Sequence, residues 1–223
     1  MLSILYQDRA LLVCLKPPGL LSQDGPGGSL PERLRRQAGG EIYPVHRLDR
    51  EAGGVMVYAR TRAAAASLSA AIQAGALEKE YLCVLHGRPQ EPEGTYRDLL
   101  LHDRGRNKSF VVRRQRGGVK EASLSYRTLA AEEKSSLVRV RLHTGRTHQI
   151  RVQFASRGTP LLGDGKYGGG PGPLALWSAL LALPHPESGE RLRFSRLPEG
   201  APWARFGAAL EGGQNTKLEK GGA

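Results

Sequence analysis

An aspartate flanked by arginines is the group in this chain best placed to do chemistry. Asp49 lies between Arg47 and Arg50 in the segment YPVHRLDREA at 43–52. Cationic neighbours keep a carboxylate ionised, and an ionised, oriented carboxylate can attack an electron-poor carbon, as glycosidase carboxylates attack the anomeric carbon of a sugar. An arbitrary Arg-x-Asp-Arg string is more often a weak surface ion pair. The string therefore indicates a nucleophile only if the rest of the chain supplies a site around it.

The charge of the chain indicates a polyanionic partner. Its 223 residues include 33 Lys and Arg against 21 Asp and Glu, a net charge of +12, and such an excess favours nucleic acid. Residues 97–120 contain eight of these cations and only two acids. This pattern predicts either a basic hairpin or arm over a cleft, or a solvated, flexible loop. The residues of the arm expected to bind the polyanion are Arg104, Arg106, Lys108, Arg113, Arg114 and Arg116.

Several other classes of protein are disfavoured by the sequence. No segment approaches the 18 or more apolar residues of a membrane-spanning helix. The N-terminal segment is interrupted by Gln7, Asp8 and Arg9 and lacks the charged start of a signal peptide. Cys14 and Cys83 are isolated, which fits a reducing cytosol and not a zinc site. We therefore expect a cytoplasmic protein without membrane association and without a metal.

Several motifs, each weak by itself, occur in one order along nearly the whole chain. Together they resemble the RluA-type pseudouridine synthases of the RsuA/RluA family, in that family's order and at similar spacing. The motifs are ILYQDRALLVCLKPPGLLSQ at 4–23, HRLD at 46–49, EKEYLCVLHG at 78–87, LHTGRTHQIRVQFASRGTPLLGDGKYGG at 142–169 and LPHPESGERLRFSRLPEG at 183–200. The resemblance implies an enzyme that isomerises specific uridines of RNA to pseudouridine. The reaction changes no oxidation state and transfers no phosphate, so no cofactor is expected.

The resemblance also implies catalytic roles for three residues. Asp49, in HRLD, corresponds to the aspartate that attacks the target uridine, after which the base leaves through N1 and rejoins the ribose through C5. Tyr81, in EKEY, corresponds to the tyrosine that packs on the uracil and is a candidate for removing the C5 proton. Arg151, in HQIR, would pair with the Asp49 carboxylate. Because a stacked base is out of reach of any side chain, such a reaction requires the nucleotide to be flipped out of its stack.

Four further residues are expected to contact the substrate. Arg47 corresponds to the arginine that enters the RNA stack where the flipped base has left, and Ile150 would form an apolar wall of the uracil pocket. Arg146 either binds RNA or orders its loop. His46 is placed in this group as the residue that braces the loop carrying Asp49.

Each assignment has a structural alternative. Tyr81 falls in a strand-like run and is equally compatible with a core position, and the helical spacing of Ile150 and Phe154 is typical of a core. His46 and His148 could be read as a base or metal pair, but no third ligand is spaced to complete a site. Gly163, Asp164 and Tyr167 read most simply as turn residues, with Asp164 bonding backbone amides.

The chain departs from the family pattern in two places. Where many relatives carry Asp-Thr-Ser-Gly after HRLDR, this chain has Glu51-Ala52-Gly53-Gly54, which removes two hydroxyl groups that could hold the loop. Trp177 stands where a histidine is usual. These changes bear on loop order and substrate preference more than on the reaction.

The strands and helices that must position these residues can be predicted from the sequence. They indicate a mixed α+β domain over residues 1–210, and the polar segment 211–223 is expected to be a disordered tail. Strands are expected near 4–6, 11–15, 54–60, 80–87, 109–113, 122–129 and 136–143. Helices are expected after Ser29, from Thr61 to Gly75 and over 147–157. The resemblance adds the architecture, which is the pseudouridine synthase fold: a central, mainly antiparallel mixed sheet with flanking helices and loops and a catalytic cleft across its middle.

Three hypotheses for function follow. The first is an RNA pseudouridine synthase acting on a structured tRNA or rRNA stem-loop, recognised by the catalytic domain itself without an S4-type RNA-binding domain. The second is an RNA-binding or RNA-folding protein on the same scaffold that does not need isomerisation. The third, a glycosidase-like enzyme, is disfavoured because only one carboxylate is well placed. The sequence leaves open which RNA and which uridine are modified, how many sites there are, and whether Asp49 attacks C1′ or C6. It also leaves the oligomeric state open, and a monomer is expected.

Overall fold

The protein, described here by a computed structural model, is built around one mixed sheet. The structure describes residues 1–26 and 28–212; residues 213–223, most of the expected tail, lie outside them. The sheet has 11 strands, in the order β1-β2-β4-β10-β5-β9-β8-β6-β7, with β3 paired to β4 and β11 to β10. The strands are β1 (Ile4–Gln7), β2 (Leu11–Lys16), β3 (Tyr43–Pro44), β4 (Gly53–Ala59), β5 (Glu78–His86), β6 (Glu93–Asp103), β7 (Lys108–Val112), β8 (Val119–Ala131), β9 (Ser135–Leu142), β10 (Leu176–Pro184) and β11 (Arg191–Ser195).

Four α-helices and a 3₁₀ helix flank this sheet in the part of the chain that is described. They are α1 (Leu30–Ala38), α2 (Arg62–Gln73), α3 (Gln149–Ala155), the 3₁₀ helix Trp203–Phe206 and α4 (Gly207–Gly212). Side chains satisfy the first backbone N–H groups of two of them, since Ser29 accepts from Glu32 N and Thr61 from Ala64 N. No helix among the described residues is long and apolar enough to cross a membrane.

The interior strand β4 is buried on both faces. Met56 and Tyr58 pack into the core beneath α1 and α3, whereas Val55 and Val57 pack into a second core with α2. Since successive side chains of a strand point to opposite faces, a strand between two layers must be apolar throughout. This double burial fixes the register of the strand that directly follows the Asp49 segment.

The junction of β4 with β10 depends on two glycines. It is a parallel pair, with Gly53 opposite Trp177 and Gly54 opposite Ser178. A Cβ on Gly53 would come within 2.5 Å of the Trp177 ring, and one on Gly54 would collide with the Ser178 backbone. Gly54 also has a φ of 119°, which favours glycine. The two departures from the family pattern therefore touch each other.

The α+β class and the mainly antiparallel mixed sheet are as predicted, and each of the seven predicted strands lies within two or three residues of an observed one. The sequence pattern does not predict four strands: β3, β6, β10 and β11. The helix expected from Thr147 begins at Gln149, because His148 is left-handed with a φ of 54°. The predicted tail boundary falls inside α4, which runs to Gly212.

Candidate active site

Asp49 lies on a turn whose backbone carbonyl groups bind a buried lysine side chain. Lys16, which is 0% exposed, donates from Nζ to the carbonyl oxygens of Pro17 (3.1 Å), Arg50 (2.9 Å) and Ala52 (2.7 Å). Burial lowers the pKa of Lys16 to about 8, against the opposing charges of Glu51 and Asp49. A buried ammonium group with three carbonyl acceptors holds the turn in place without the hydroxyl groups that this chain lacks.

Arg151 binds two carboxylates at once. Its Nε and Nη2 donate to the two oxygens of Asp164 at 2.7 and 2.8 Å, and its Nη1 donates to Asp49 Oδ2 at 3.1 Å. The side chains of Arg151 and Asp164 are 5% and 0% exposed, and that of Asp49 is 16% exposed. Burial alone would lower the pKa of Arg151, but the bonds and charges of Asp164 and Asp49 outweigh it and raise that pKa. The pairing fixes the position of Asp49 Oδ2.

A second buried group stands behind Asp49. His148 Nε2 is 3.9 Å from Asp49 Oδ2, and its Nδ1 is 3.0 Å from the Tyr167 hydroxyl. Tyr167 accepts a hydrogen bond from Ser109 N at 2.7 Å. Burial is the main cause that lowers the pKa of His148. The imidazole is therefore neutral near pH 7, and a proton on Nε2 would face the carboxylate if Tyr167 donates to Nδ1.

These groups open into a cleft of about 510 Å³. Tyr81 and Ile150 form part of its wall and are 5% and 4% exposed. Burial, and then the Asp49 charge, raise the pKa of Tyr81, so it is a neutral phenol. Of the described residues that line the cleft, Asp49 is the one carboxylate, whereas Arg47, Lys79, Arg146 and Arg151 supply positive charge. Asp49 is thus a single acid in a cationic cavity.

The other residues expected at the substrate also line this cleft. Arg47 is exposed beside Asp49. His46 Nε2 accepts a hydrogen bond from Val57 N at 3.1 Å, which ties the Asp49 segment to β4. Arg146 Nε donates to the Glu121 carbonyl at 2.8 Å, which orders its loop. The structure brings all of these residues to one cavity; their roles toward RNA remain predictions.

The basic arm is a hairpin of β6 and β7, with Arg104 and Arg106 at its turn. None of its residues lines the cleft, so the expected position over the cleft is wrong. The hairpin lies beside the rim, because Ser109 Oγ donates to the Thr147 carbonyl at 2.6 Å and Lys108 Nζ lies 5.1 Å from the centre of the Tyr167 ring. Arg113, Arg114 and Arg116 follow β7 and are exposed.

The sequence pattern does not reveal the part that Asp164, Tyr167 and Lys16 play in the site. The pattern around Asp164 and Tyr167 predicts turn residues, yet their side chains bind Arg151 and His148. Lys16 lies at the end of an apolar strand. Because a buried lysine needs a hydrogen-bonding partner, a lysine at this position indicates that such a partner exists. Within residues 1–26 and 28–212, no three His, Cys, Asp or Glu side chains cluster closely enough to hold a metal ion.

Fold and site together define a class of protein: a mixed α+β sheet with a cationic central cleft in which a buried arginine holds one carboxylate. A family model described as RNA pseudouridylate synthase matches residues 10–156. The chain belongs to this family.

Curated relatives agree with this assignment. The chain is 37% identical over 212 residues to an uncharacterized RNA pseudouridine synthase of Bacillus subtilis, YjbO, with 89% of this chain and 73% of that protein covered. A second one from B. subtilis, YhcT, is 37% identical over 180 residues, covering 76% of this chain but only 58% of the relative. Ribosomal large subunit pseudouridine synthase D of Zymomonas mobilis is 31% identical, with 89% and 70% covered.

Solved structures show the same architecture. Human RNA pseudouridylate synthase domain containing 4 superimposes with a TM-score of 0.76 at 25% identity, covering 94% of this chain and 93% of the human one. The human domain containing 1 protein gives 0.75, also at 25% identity. The expected pseudouridine synthase fold is therefore confirmed.

Proposed function

We propose that this protein is an RNA pseudouridine synthase, an isomerase that converts uridine to pseudouridine in structured RNA and needs no cofactor. The observation that carries the proposal is the single carboxylate of the cleft, Asp49, held through Oδ2 by Arg151 at 3.1 Å. Arg151 orients this carboxylate at the wall of the cleft, where a preorganised nucleophile can act on a bound nucleotide.

The steps balance without an added reactant. Asp49 attacks the flipped uridine at C1′ or at C6 and forms a covalent bond to it. The N1–C1′ bond breaks, the base turns within the cleft, and a C5–C1′ bond forms. The bond between Asp49 and the substrate breaks again, which restores the free carboxylate. C5 then loses its proton and N1 carries one, so the nucleotide keeps its composition. Tyr81 and Ile150 enclose the uracil while it is detached, which prevents its loss to solvent. Because Tyr81 is a neutral phenol, its packing role is better supported than proton removal by its hydroxyl.

RNA would be held by two sets of cations. Arg47, exposed beside Asp49, would fill the place of the flipped base. The hairpin residues would bind backbone phosphates, which contributes affinity and salt dependence more than sequence specificity. Since one relative is a ribosomal large subunit synthase by name, large-subunit rRNA is the first substrate to test, with tRNA beside it. The proposal includes a cytoplasmic location and a monomer.

Two alternatives are less well supported. A glycosidase-type reaction needs a second, protonated carboxyl group, and the nearest buried one, Asp164, is bound on both oxygens by Arg151. An RNA-binding protein without turnover would gain nothing from a carboxylate in a cationic cleft, where it repels phosphate.

The deciding experiment is base-resolution mapping of pseudouridine in total tRNA and rRNA that lack the modification, after incubation with the wild-type chain or with Asp49→Ala. New pseudouridine with the wild type alone would support the reaction and the nucleophile and would name the substrate. RNA that is tightly bound but unmodified would instead support the RNA-binding alternative.

A further inference from the structure

Lys79 is a cleft cation to which the mechanism above gives no task. It precedes Tyr81 by two residues on β5, and both line the cleft, as strand alternation requires. The intervening Glu80 lies on the opposite face, in a shallow groove with Arg139 and Arg141. Its other neighbour, Glu78, pairs with Arg191 at 2.9 Å and Arg141 at 3.4 Å. The acids of this strand therefore do not neutralise Lys79.

Within residues 1–26 and 28–212, Lys79 has no counter-ion. Among the residues that the structure describes, none forms a hydrogen bond or an ion pair with its Nζ, although the side chain is half-buried. Burial lowers the pKa of Lys79, and no carboxylate opposes this effect. A desolvated, unpaired ammonium group costs folding free energy. Its presence is therefore better explained by a ligand than by stability.

The surroundings of Lys79 indicate an anionic ligand. Lys79 is close enough to His46 that its charge, after burial, helps to lower the pKa of that imidazole to about 3. On the other side, a Cβ built on Gly145 would lie 3.3 Å from Lys79 Nζ, so the amine touches the loop that carries Arg146. An anion at this point would meet two cations, Lys79 and Arg146, whereas the one carboxylate among the described residues of the cleft, Asp49, is paired with Arg151.

The distance along β5 fits one nucleotide. Two residues of a strand span about 6.6 Å, which is comparable to the separation of a nucleotide's base from its own phosphate. A uracil packed on Tyr81 would thus bring its backbone phosphate near Lys79 Nζ. We propose that Lys79 forms a phosphate subsite, which binds a backbone phosphate of the flipped nucleotide while Tyr81 holds its base. This inference rests on the proposed function and assigns the contact that holds the flipped nucleotide in place.

The test compares Lys79→Met, which keeps length and loses charge, with Lys79→Arg and with Lys134→Met, an exposed lysine between β8 and β9. The probe is an unmodified transcript of large-subunit rRNA, and its Kd is measured over a range of salt concentrations. We expect Lys79→Met to weaken binding about tenfold and to reduce the slope of log K against log salt by about 0.7 to 0.9. Lys79→Arg should restore both, and Lys134→Met should change neither.

Two further readouts separate this role from a structural one. Lys79→Met should unfold at the wild-type temperature or above, because it removes a desolvated charge, and the RNA concentration that gives half of its maximal single-turnover rate should rise about tenfold, as its Kd does. A wild-type salt slope in Lys79→Met, or a lower unfolding temperature than that of the wild type, would overturn the subsite.

A chemical change in the RNA provides an independent test. Once mapping has identified the target uridine, a methylphosphonate replaces one flanking phosphate at a time in a short oligonucleotide. At one of the two positions, the methylphosphonate should lower the affinity of the wild type about tenfold. At the same position it should not lower the affinity of Lys79→Met any further. Additive losses at both positions contradict the contact. The dependence of RNA affinity on salt does not require turnover. A wild type that forms no pseudouridine would therefore overturn the proposed function, while the salt slopes would still show whether Lys79 binds a phosphate.

Discussion

The turn that carries Asp49 and the hairpin of β6 and β7 are both rich in cations, but the cations are used differently. Beneath the turn, Lys16 and Arg151 are buried, and their N–H groups are donated to carbonyl and carboxylate oxygens inside the protein. On the hairpin and just after it, the guanidinium groups are exposed, and within the described chain none of four has a side-chain partner: Arg104, Arg113, Arg114 and Arg116. Buried cations orient one carboxylate, whereas exposed cations are available to an external polyanion. Chemistry and binding should therefore be separable by mutation.

Asp49→Asn should separate them most strongly. We expect a loss of turnover of at least about 10⁴-fold, the scale on which a missing nucleophile acts. RNA affinity should be equal or slightly higher, because a negative charge near phosphates is removed. Tritium release from RNA containing 5-tritiated uridine measures the reaction, and filter binding measures the affinity. A tenfold loss of binding with turnover intact would remove Asp49 from the chemistry.

Asp164→Asn tests whether Arg151 needs its ion pair with Asp164 in order to orient Asp49. Losing one carboxylate of a buried pair should lower the free energy of unfolding by about 3 kcal/mol. Turnover should fall about 10²-fold, because Arg151 can then move away from Asp49. Denaturant unfolding and single-turnover assays measure the two effects. Asp103→Asn, at an exposed hairpin contact 3.8 Å from Arg106, is the control and should change stability by less than about 0.5 kcal/mol.

Replacing Arg113, Arg114 and Arg116 together by Gln addresses the hairpin. The slope of log K against log salt should fall by about two to three, since each of the three lost phosphate contacts contributes about 0.7 to 0.9. Turnover at saturating RNA should not change. Arg9→Gln, at an exposed pair with Glu187, is the matched control. A slower reaction at saturation would show that the hairpin takes part in chemistry and would weaken the contrast between the two regions.

Lys16 predicts a pH dependence of stability. Its pKa is about 8 in the folded protein, against 10.5 for an ordinary lysine, which is the value expected in the unfolded chain. Between these values the unfolded chain retains a proton that the folded chain has released, so folding becomes more favourable as pH rises from about 8 to 10.5. The wild type should gain about 2 kcal/mol over Lys16→Met across this window. Unfolding of both chains at pH 7.5 and pH 10 measures the difference; parallel pH profiles would contradict a buried, charged Lys16.

Tyr167→Phe should have the smallest effect. It removes the hydroxyl group from His148 Nδ1 and from the Ser109 backbone, at a cost of about 1 kcal/mol for each hydrogen bond lost. Turnover should fall about fivefold, with RNA affinity unchanged. Combining it with His148→Gln in a double-mutant cycle shows whether the two residues act together, and strictly additive losses would argue that they do not.

Contacts between distant segments account for what the sequence did not predict. Asp164 is 13 residues from Arg151, and the turn pattern around it is indistinguishable from one that bonds only its own backbone. The two departures at Gly53 and Trp177 were independent in the sequence, yet one makes room for the other. Strand β10, which pairs with β4, β5 and β11, has an apolar run interrupted only by Ser178, and periodicity alone does not assign such a run to a strand.

The sequence by itself determined the sheet class, most strands, and the motif residues Asp49, Tyr81, Ile150 and Arg151, because alternation and motif order are properties of neighbouring residues. Only the tertiary structure decided which groups hold them. Lys16 stabilises the turn, Asp164 orients Arg151, and the hairpin lies beside the cleft and not over it. The physical reason is that a buried charge or hydrogen bond is defined by its partner and its desolvation, and both arise only when distant segments pack together.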